Sequence, residues 1–147
     1  MLQFARINLE QTNYSYMKEG QWGWIPTPDP LMIKKLDDIY IQYCRYKKFK
    51  SFMPIFSTEY TDKSMQVIGY YDNKELVAFS LIKRHTKEDV EAIQFAWNYE
   101  NPKLHLGLKS LRHECCVYKA LGFKYLWLGE ANGYKKQIDG FEVMGPV

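Results

Sequence analysis

The spacing of apolar residues changes character at Pro102, and that change restricts the fold more than any other feature of the chain. Before it, Met65–Tyr71, Glu75–Ile82 and Val90–Trp97 are short runs rich in Val, Ile, Phe and Tyr, separated by Asp72-Asn73-Lys74 and by the polar stretch His85–Asp89. Runs of this kind, bounded by turn residues, read as consecutive antiparallel strands. After it, Leu104, Leu108, Leu111, Cys115 and Tyr118 step by three or four residues, which places them on one face of a helix, and Gly122 stands where a helix C-terminus favours glycine. Lys124–Leu128 is then short and apolar enough for an inner strand, and Phe141–Met144 for a last one.

The N-terminal part is less regular. Leu2–Leu9 alternates as a strand does, whereas Gln21–Pro30 contains three prolines and reads as loop. Asp29-Pro30 supplies a helix start, and Ile33, Leu36, Ile39, Tyr40 and Tyr43 recur at helical spacing, so an amphipathic helix is expected from Leu31 to about Tyr46. Lys47–Lys63, with Pro54 among Ser, Thr and aromatics, is expected to be a loop or a short helix over a cleft. Together these give an α/β (α+β) architecture, a mixed, mostly antiparallel central sheet flanked by helices. With 147 residues and no repeat or linker, residues 1–147 are expected to form one domain.

Twenty basic against 17 acidic side chains leave a formal charge of +3, too small to produce by itself the broad positive field of a nucleic-acid binder. Cys44, Cys115 and Cys116 lack metal-type spacing, so no metal is expected, and reduced, buried thiols are the simplest reading. The first residues lack the basic flank and apolar core of a signal peptide, and nowhere do ~18 apolar residues run together. A soluble, cytoplasmic protein without membrane attachment is the expectation.

A turn that leads from a strand into a helix leaves the first helical N–H groups unpaired, and these attract an anion such as phosphate. The turn here is WNYENPKLHLGLKSLRHE, Trp97–Glu114, with Gly107 at the start of the helix. On spacing alone that glycine serves equally well to let the helix pack on the sheet.

Hairpin, third strand, polar turn, helix, Leu121-Gly122-Phe123 and strand, in that order, resemble the GNAT acyltransferase superfamily over roughly the last 80 residues, about half of an ordinary domain. The resemblance implies a GNAT-like fold. Its donor-loop pattern, Gln/Arg-x-x-Gly-x-Gly/Ala, falls on Pro102-Lys103-Leu104-His105-Leu106-Gly107, where only the final glycine matches. Tyr70–Ala78, Leu106–Glu114, Leu121–Gly129 and Gly133–Lys135 are moreover similar to the C-terminal, GNAT-like half of arginyl- and leucyl-tRNA–protein transferases.

What these resemblances imply is acyl transfer: acetyl-CoA as co-substrate, its pyrophosphate held by Lys103, Leu104, His105, Leu106, Gly107 and Leu108, and its pantetheine arm paired with the backbone of Trp97 and Asn98. The acceptor would be a small-molecule or peptide amine. Tyr134 is implied as the acid that protonates the leaving thiolate. A base for the amine is sought among Glu59, Glu91 and His105, each of which reads equally as a surface group; His105 could also contact a phosphate or cap the turn. Trp22 and Trp24 would line an acceptor pocket or anchor a loop. Arg45-Tyr46-Lys47-Lys48-Phe49-Lys50 interleaves cations and aromatics as single-stranded RNA sites do, or is the solvated end of a helix. The alternatives are therefore an aminoacyl-tRNA-dependent transferase or tRNA-binding relative, and a non-catalytic domain of the same fold.

Overall fold

The computed structural model describes residues 4–26, 29–48, 64–130 and 133–144. Its strands are β1 (Phe4–Asn8), β2 (Trp22–Ile25), β3 (Met65–Asp72), β4 (Glu75–Arg84), β5 (Asp89–Trp97), β6 (Tyr125–Glu130) and β7 (Phe141–Val143), and its helices α1 (Pro30–Tyr46) and α2 (Leu106–Ala120). They make one seven-stranded sheet in the order β2-β3-β4-β5-β6-β1-β7. Every neighbouring pair is antiparallel except β5 and β6, which run parallel.

β4 lies inside the sheet between β3 and β5 and is buried on both faces, which is why Val77–Ile82 reads as an unbroken run and not as an alternation. On one face α1 buries Leu36 and Ile39 against Ile25, Val67, Phe79, Leu81 and Ala96. The Asp29 carboxylate caps this helix by accepting from the Met32 N–H at 2.8 Å, and Pro30 occupies the first turn, where its missing N–H costs nothing. On the opposite face α2 buries Leu106, Leu111, Cys115, Val117 and Tyr118 against Ile68, Tyr70, Ala78, Ile82, Val90 and Leu126. The helix ends at Gly122, whose φ of +96° glycine adopts without steric penalty.

The helices, the hairpin, β6 and β7 all lie where the periodicities place them. Gln21–Pro30 differs: Trp22–Ile25 is an edge strand, with Trp22 opposite Tyr70 and Ile25 opposite Val67. Pro26 falls just beyond it, so no ladder bond is lost, and aromatic and β-branched side chains suit the pleat. The two ends of the chain also meet. β1 is inserted between β6 and β7, and the Arg6 guanidinium bonds Glu142 at 2.7 Å while lying 3.8 Å from the centre of the Tyr125 ring. Of Lys47–Lys63, only Lys47 and Lys48 lie within the described residues.

One irregularity shapes the sheet. Leu81 pairs with Gln94 and Ile82 with Ala92, which leaves Ile93 as an extra residue in β5. A bulge of this kind bends and twists its strand. β5 and β6 are paired only through Asp89–Tyr125, Val90–Leu126 and Glu91–Trp127, and they separate from Ala92 onward.

Candidate active-site cleft

The parting of β5 from β6 opens a cavity of about 220 Å³ lined by Ala92, Phe95, Leu111 and Leu128 and, deeper, by Ser80 and Glu114. A second cavity of about 370 Å³, lined by Lys47, Trp97, Tyr99, His105 and Leu108, shares Tyr43, Phe95 and Gly107 with it. Because Tyr43 belongs to α1 and Gly107 to α2, the two cavities form one cleft reached by both helices.

α2 points its N-terminus at this cleft. The N–H groups of Leu104 and His105 are taken by Asn101 O at 3.1 Å and Pro102 O at 3.2 Å, within a 3₁₀ turn over Pro102–Leu104. Those of Leu106, Gly107 and Leu108 have no hydrogen-bond partner among the described residues. His105 precedes the helix in the left-handed region, φ 48° and ψ 44°, and offers no side-chain cap. Three unpaired donors and the positive end of the helix dipole therefore meet at the wall of the cleft.

Its inner end carries the strongest electrostatic feature. Glu114 is 3% exposed, and its Oε2 accepts from the Ser80 hydroxyl at 2.6 Å and from the Tyr70 hydroxyl. Burial pushes its carboxyl up to about 7, against the opposing pull of those two hydrogen bonds. The same burial, together with the adjoining carboxylate, holds the Tyr70 phenol well above its ordinary value. Next to it on α2, His113 is fully buried and burial lowers it to about 4. Its Nδ1 accepts from the Met17 N–H at 2.9 Å, so the imidazole is neutral with its proton on Nε2, facing the rings of Trp22, Tyr16 and Tyr70.

The residues singled out from the sequence divide. His105, Gly107, Leu108 and Trp97 line the cleft. Leu106 is buried at the start of α2, Leu104 is half-buried, and Lys103 is exposed. Asn98 turns instead to an open depression beside Asp38 and Gln42, and its N–H is held by Val77 O at 3.0 Å, so this amide is not available to a ligand. The opening is between β5 and β6, while Asn98 remains tied to β4. Glu91 lies away from the cleft as well: it bonds His85 at 2.6 Å beside Asp89 and Trp127, where β5 and β6 are still paired. Tyr134 belongs to the 3₁₀ turn Gly133–Gln137, and Glu59 falls outside the described residues.

Trp22 and Trp24 belong to β2 and pack edge to face on each other, with Trp24 also against Tyr118. At the end of α1, Tyr46 stacks on Tyr99 at 3.7 Å and Lys47 lies 5.9 Å from the ring centres of Tyr43 and Tyr99. Cys44 and Cys115 are buried free thiols and Cys116 is half-buried. Among the described residues no group of His, Cys, Asp and Glu could hold a metal, and no helix is long and apolar enough to cross a membrane.

Sequence reasoning missed Glu114, Ser80 and Tyr70. A signal existed for the first: Glu114 stands one residue from Cys115 and three from Leu111, on the buried face of α2.

No family model and no curated protein matches the chain by sequence. Its fold does have solved counterparts. L-PGS from Bacillus licheniformis superposes with a TM-score of 0.67 at 15% identity, over 88% of this chain and 46% of that one. A GCN5-related N-acetyltransferase from Kribbella flavida gives 0.62 at 9%, over 97% and 54%. The aminoglycoside 6′-N-acetyltransferase from Enterococcus faecium gives 0.55 at 14%, over 73% and 59%. The chain thus spans about half the length of these proteins, and the likeness establishes a GNAT-like fold.

Proposed function

We propose that this chain is an N-acyltransferase that transfers an acetyl group from acetyl-CoA to a primary amine by direct attack. The observation that carries this reading is the cleft itself, a break in the sheet between parallel strands, adjoined by the unpaired amides of Leu106, Gly107 and Leu108. Those amides would hold the pyrophosphate of the carrier. The gap between β5 and β6 would admit its thioester arm between Phe95 and Leu128, where water is scarce and an amine nucleophile meets the carbonyl. Tyr134 is the acid proposed for the departing thiolate. Of the two bases considered from sequence that lie among the described residues, His105 lines the cleft and Glu91 does not; Glu114, buried at the cleft's inner end, is the carboxylate placed to take up a proton. GNAT-fold neighbours that include acetyltransferases support the general reading.

The test is calorimetry and thermal shift with acetyl-CoA. A ligand at 100 times its dissociation constant stabilises the fold by about 2.7 kcal/mol. No heat and no shift at millimolar acetyl-CoA removes the reading.

A second reading, an aminoacyl-tRNA-dependent transferase, is favoured by the Lys47 cation and the stacked tyrosines Tyr46 and Tyr99 beside the same cleft. It calls for charged tRNA to bind with a steep salt dependence. If neither ligand binds, a non-catalytic domain of this fold is left.

A further inference from the structure

We propose that Glu114, with Ser80 and Tyr70, forms a subsite for a primary ammonium group at the inner end of the cleft. The proposal rests on reading the cleft as a substrate site, and it adds the charge of the group that enters.

Both hydroxyl donors bond Oε2, and Oε1 has no hydrogen bond among the described residues. Glu114 nevertheless lines the cavity. Above about pH 7 the Glu114 carboxyl is ionised and only accepts hydrogen bonds, so the open oxygen then calls for a donor. Closing the cavity on it with an apolar group alone would leave a buried charge uncompensated, a heavy penalty. A cationic N–H donor is the complement that gives the strongest bond. Much of the remaining wall suits an alkyl stem, with Ala92, Leu111 and Leu128 around it and the rings of Phe95 and Tyr43 beside it, while Gln94 and Ser110 add polar groups. Among the described residues the other charged group lining the cavity is Lys135, whose Nζ donates to Leu128 O at 3.4 Å. His113, the next residue on α2, faces Trp22 and Tyr16 and is neutral.

The ammonium has two possible sources that share this chemistry, the amine of the acceptor and an amine on the acyl group of the donor. Binding of n-butylammonium is measured at pH 8, where the Glu114 carboxyl is ionised and the amine is still protonated, by NMR titration of the full chain, wild type against Glu114→Gln and Ser80→Ala. Far-UV circular dichroism and thermal unfolding establish that each variant is folded. The expected result is at least a tenfold loss of affinity in Glu114→Gln, with a smaller loss in Ser80→Ala. No binding to the wild type, or equal binding to wild type and Glu114→Gln, overturns the proposal.

β-Alanyl-CoA and butyryl-CoA, near-isosteric thioesters that differ in the amine, then separate the sources. Tighter binding of β-alanyl-CoA that disappears in Glu114→Gln assigns the subsite to the donor. Equal binding of the two thioesters, with n-butylammonium still bound beside them, assigns it to the acceptor. If neither thioester binds while n-butylammonium binds through Glu114, the subsite stands and the acetyl-CoA reading falls.

Discussion

Replacing Glu114 with glutamine should stabilise the protein at alkaline pH and leave it nearly unchanged at acid pH. In the folded chain the carboxyl titrates at about 7 in place of its ordinary 4.5, because burial disfavours the charged form. A group whose folded pKa is raised contributes fully below its unfolded pKa, and that contribution is lost as pH rises through the folded value. At about 1.4 kcal/mol per pH unit, the interval from 4.5 to about 7 corresponds to a loss of roughly 3 kcal/mol in the wild type by pH 8. Glutamine keeps an acceptor for the Ser80 and Tyr70 hydroxyls and has no charge to bury, so it escapes this loss. The surrounding groups do not titrate in the same interval: burial holds Tyr70, Tyr118 and Cys115 protonated, and His113 is already neutral above about 4. Urea unfolding of both proteins at pH 5, 6, 7 and 8 measures the effect as a difference, in which titration elsewhere cancels. The variant should gain on the wild type as pH rises, reaching about 3 kcal/mol at pH 8. A difference that is flat with pH, or a variant less stable at pH 8 than at pH 5 relative to wild type, refutes the account of Glu114 as a buried, strained carboxylate.

His113 should remain neutral at pH 5 with its proton on Nε2, because burial lowers it to about 4 and Met17 donates to Nδ1; ¹⁵N chemical shifts of the imidazole check both points. Gly140→Ala should cost about 3 kcal/mol in chemical unfolding, since φ is +77° and the added Cβ would lie 2.4 Å from Asn8 O, at the point where Asn8 N–H bonds Gly140 O. Deleting Ile93 should restore a regular β4–β5 ladder and narrow the parting from β6: circular dichroism should stay native while acetyl-CoA no longer shifts the melting temperature, and an unchanged shift would separate the cleft from the bulge.

Much of the fold was legible because the information is local. The apolar, β-branched run Met65–Tyr71, the helical stepping from Leu104 to Tyr118 and the glycine at 122 each report on their own element, and the sheet joins neighbouring strands β2 to β6 in sequence. The edge strand Trp22–Ile25 was not legible, because Pro26 and its neighbours mark the end of a strand as readily as a loop, and only pairing with Tyr70 and Val67 decides between them. The place of β1 between β6 and β7 is likewise a contact between the two ends of the chain, and no local pattern carries it.

The cleft was half legible for the same reason. Gly107 and the helix start are local, and they lie at the opening. Glu91 was chosen by its position along β5, but the strand parts from β6 only beyond the bulge at Ile93, and a bulge depends on the partner strand as much as on its own residues; Asn98, just past the end of β5, is held by Val77 O of β4. Glu114 went unseen because a glutamate is ordinarily exposed, so its place on the apolar face of α2 reads as an imperfection in the pattern. Such an imperfection is itself informative. A carboxylate on a buried helical stripe needs donors, and the hydroxyls that could serve it must come from strands facing that helix. Ser80 and Tyr70 are polar groups in otherwise apolar strands, and all three point into the same layer. Three exceptions to the apolar pattern that satisfy one another mark the layer in which polar chemistry was retained, and the cavity beside Ala92 and Leu128 lies there.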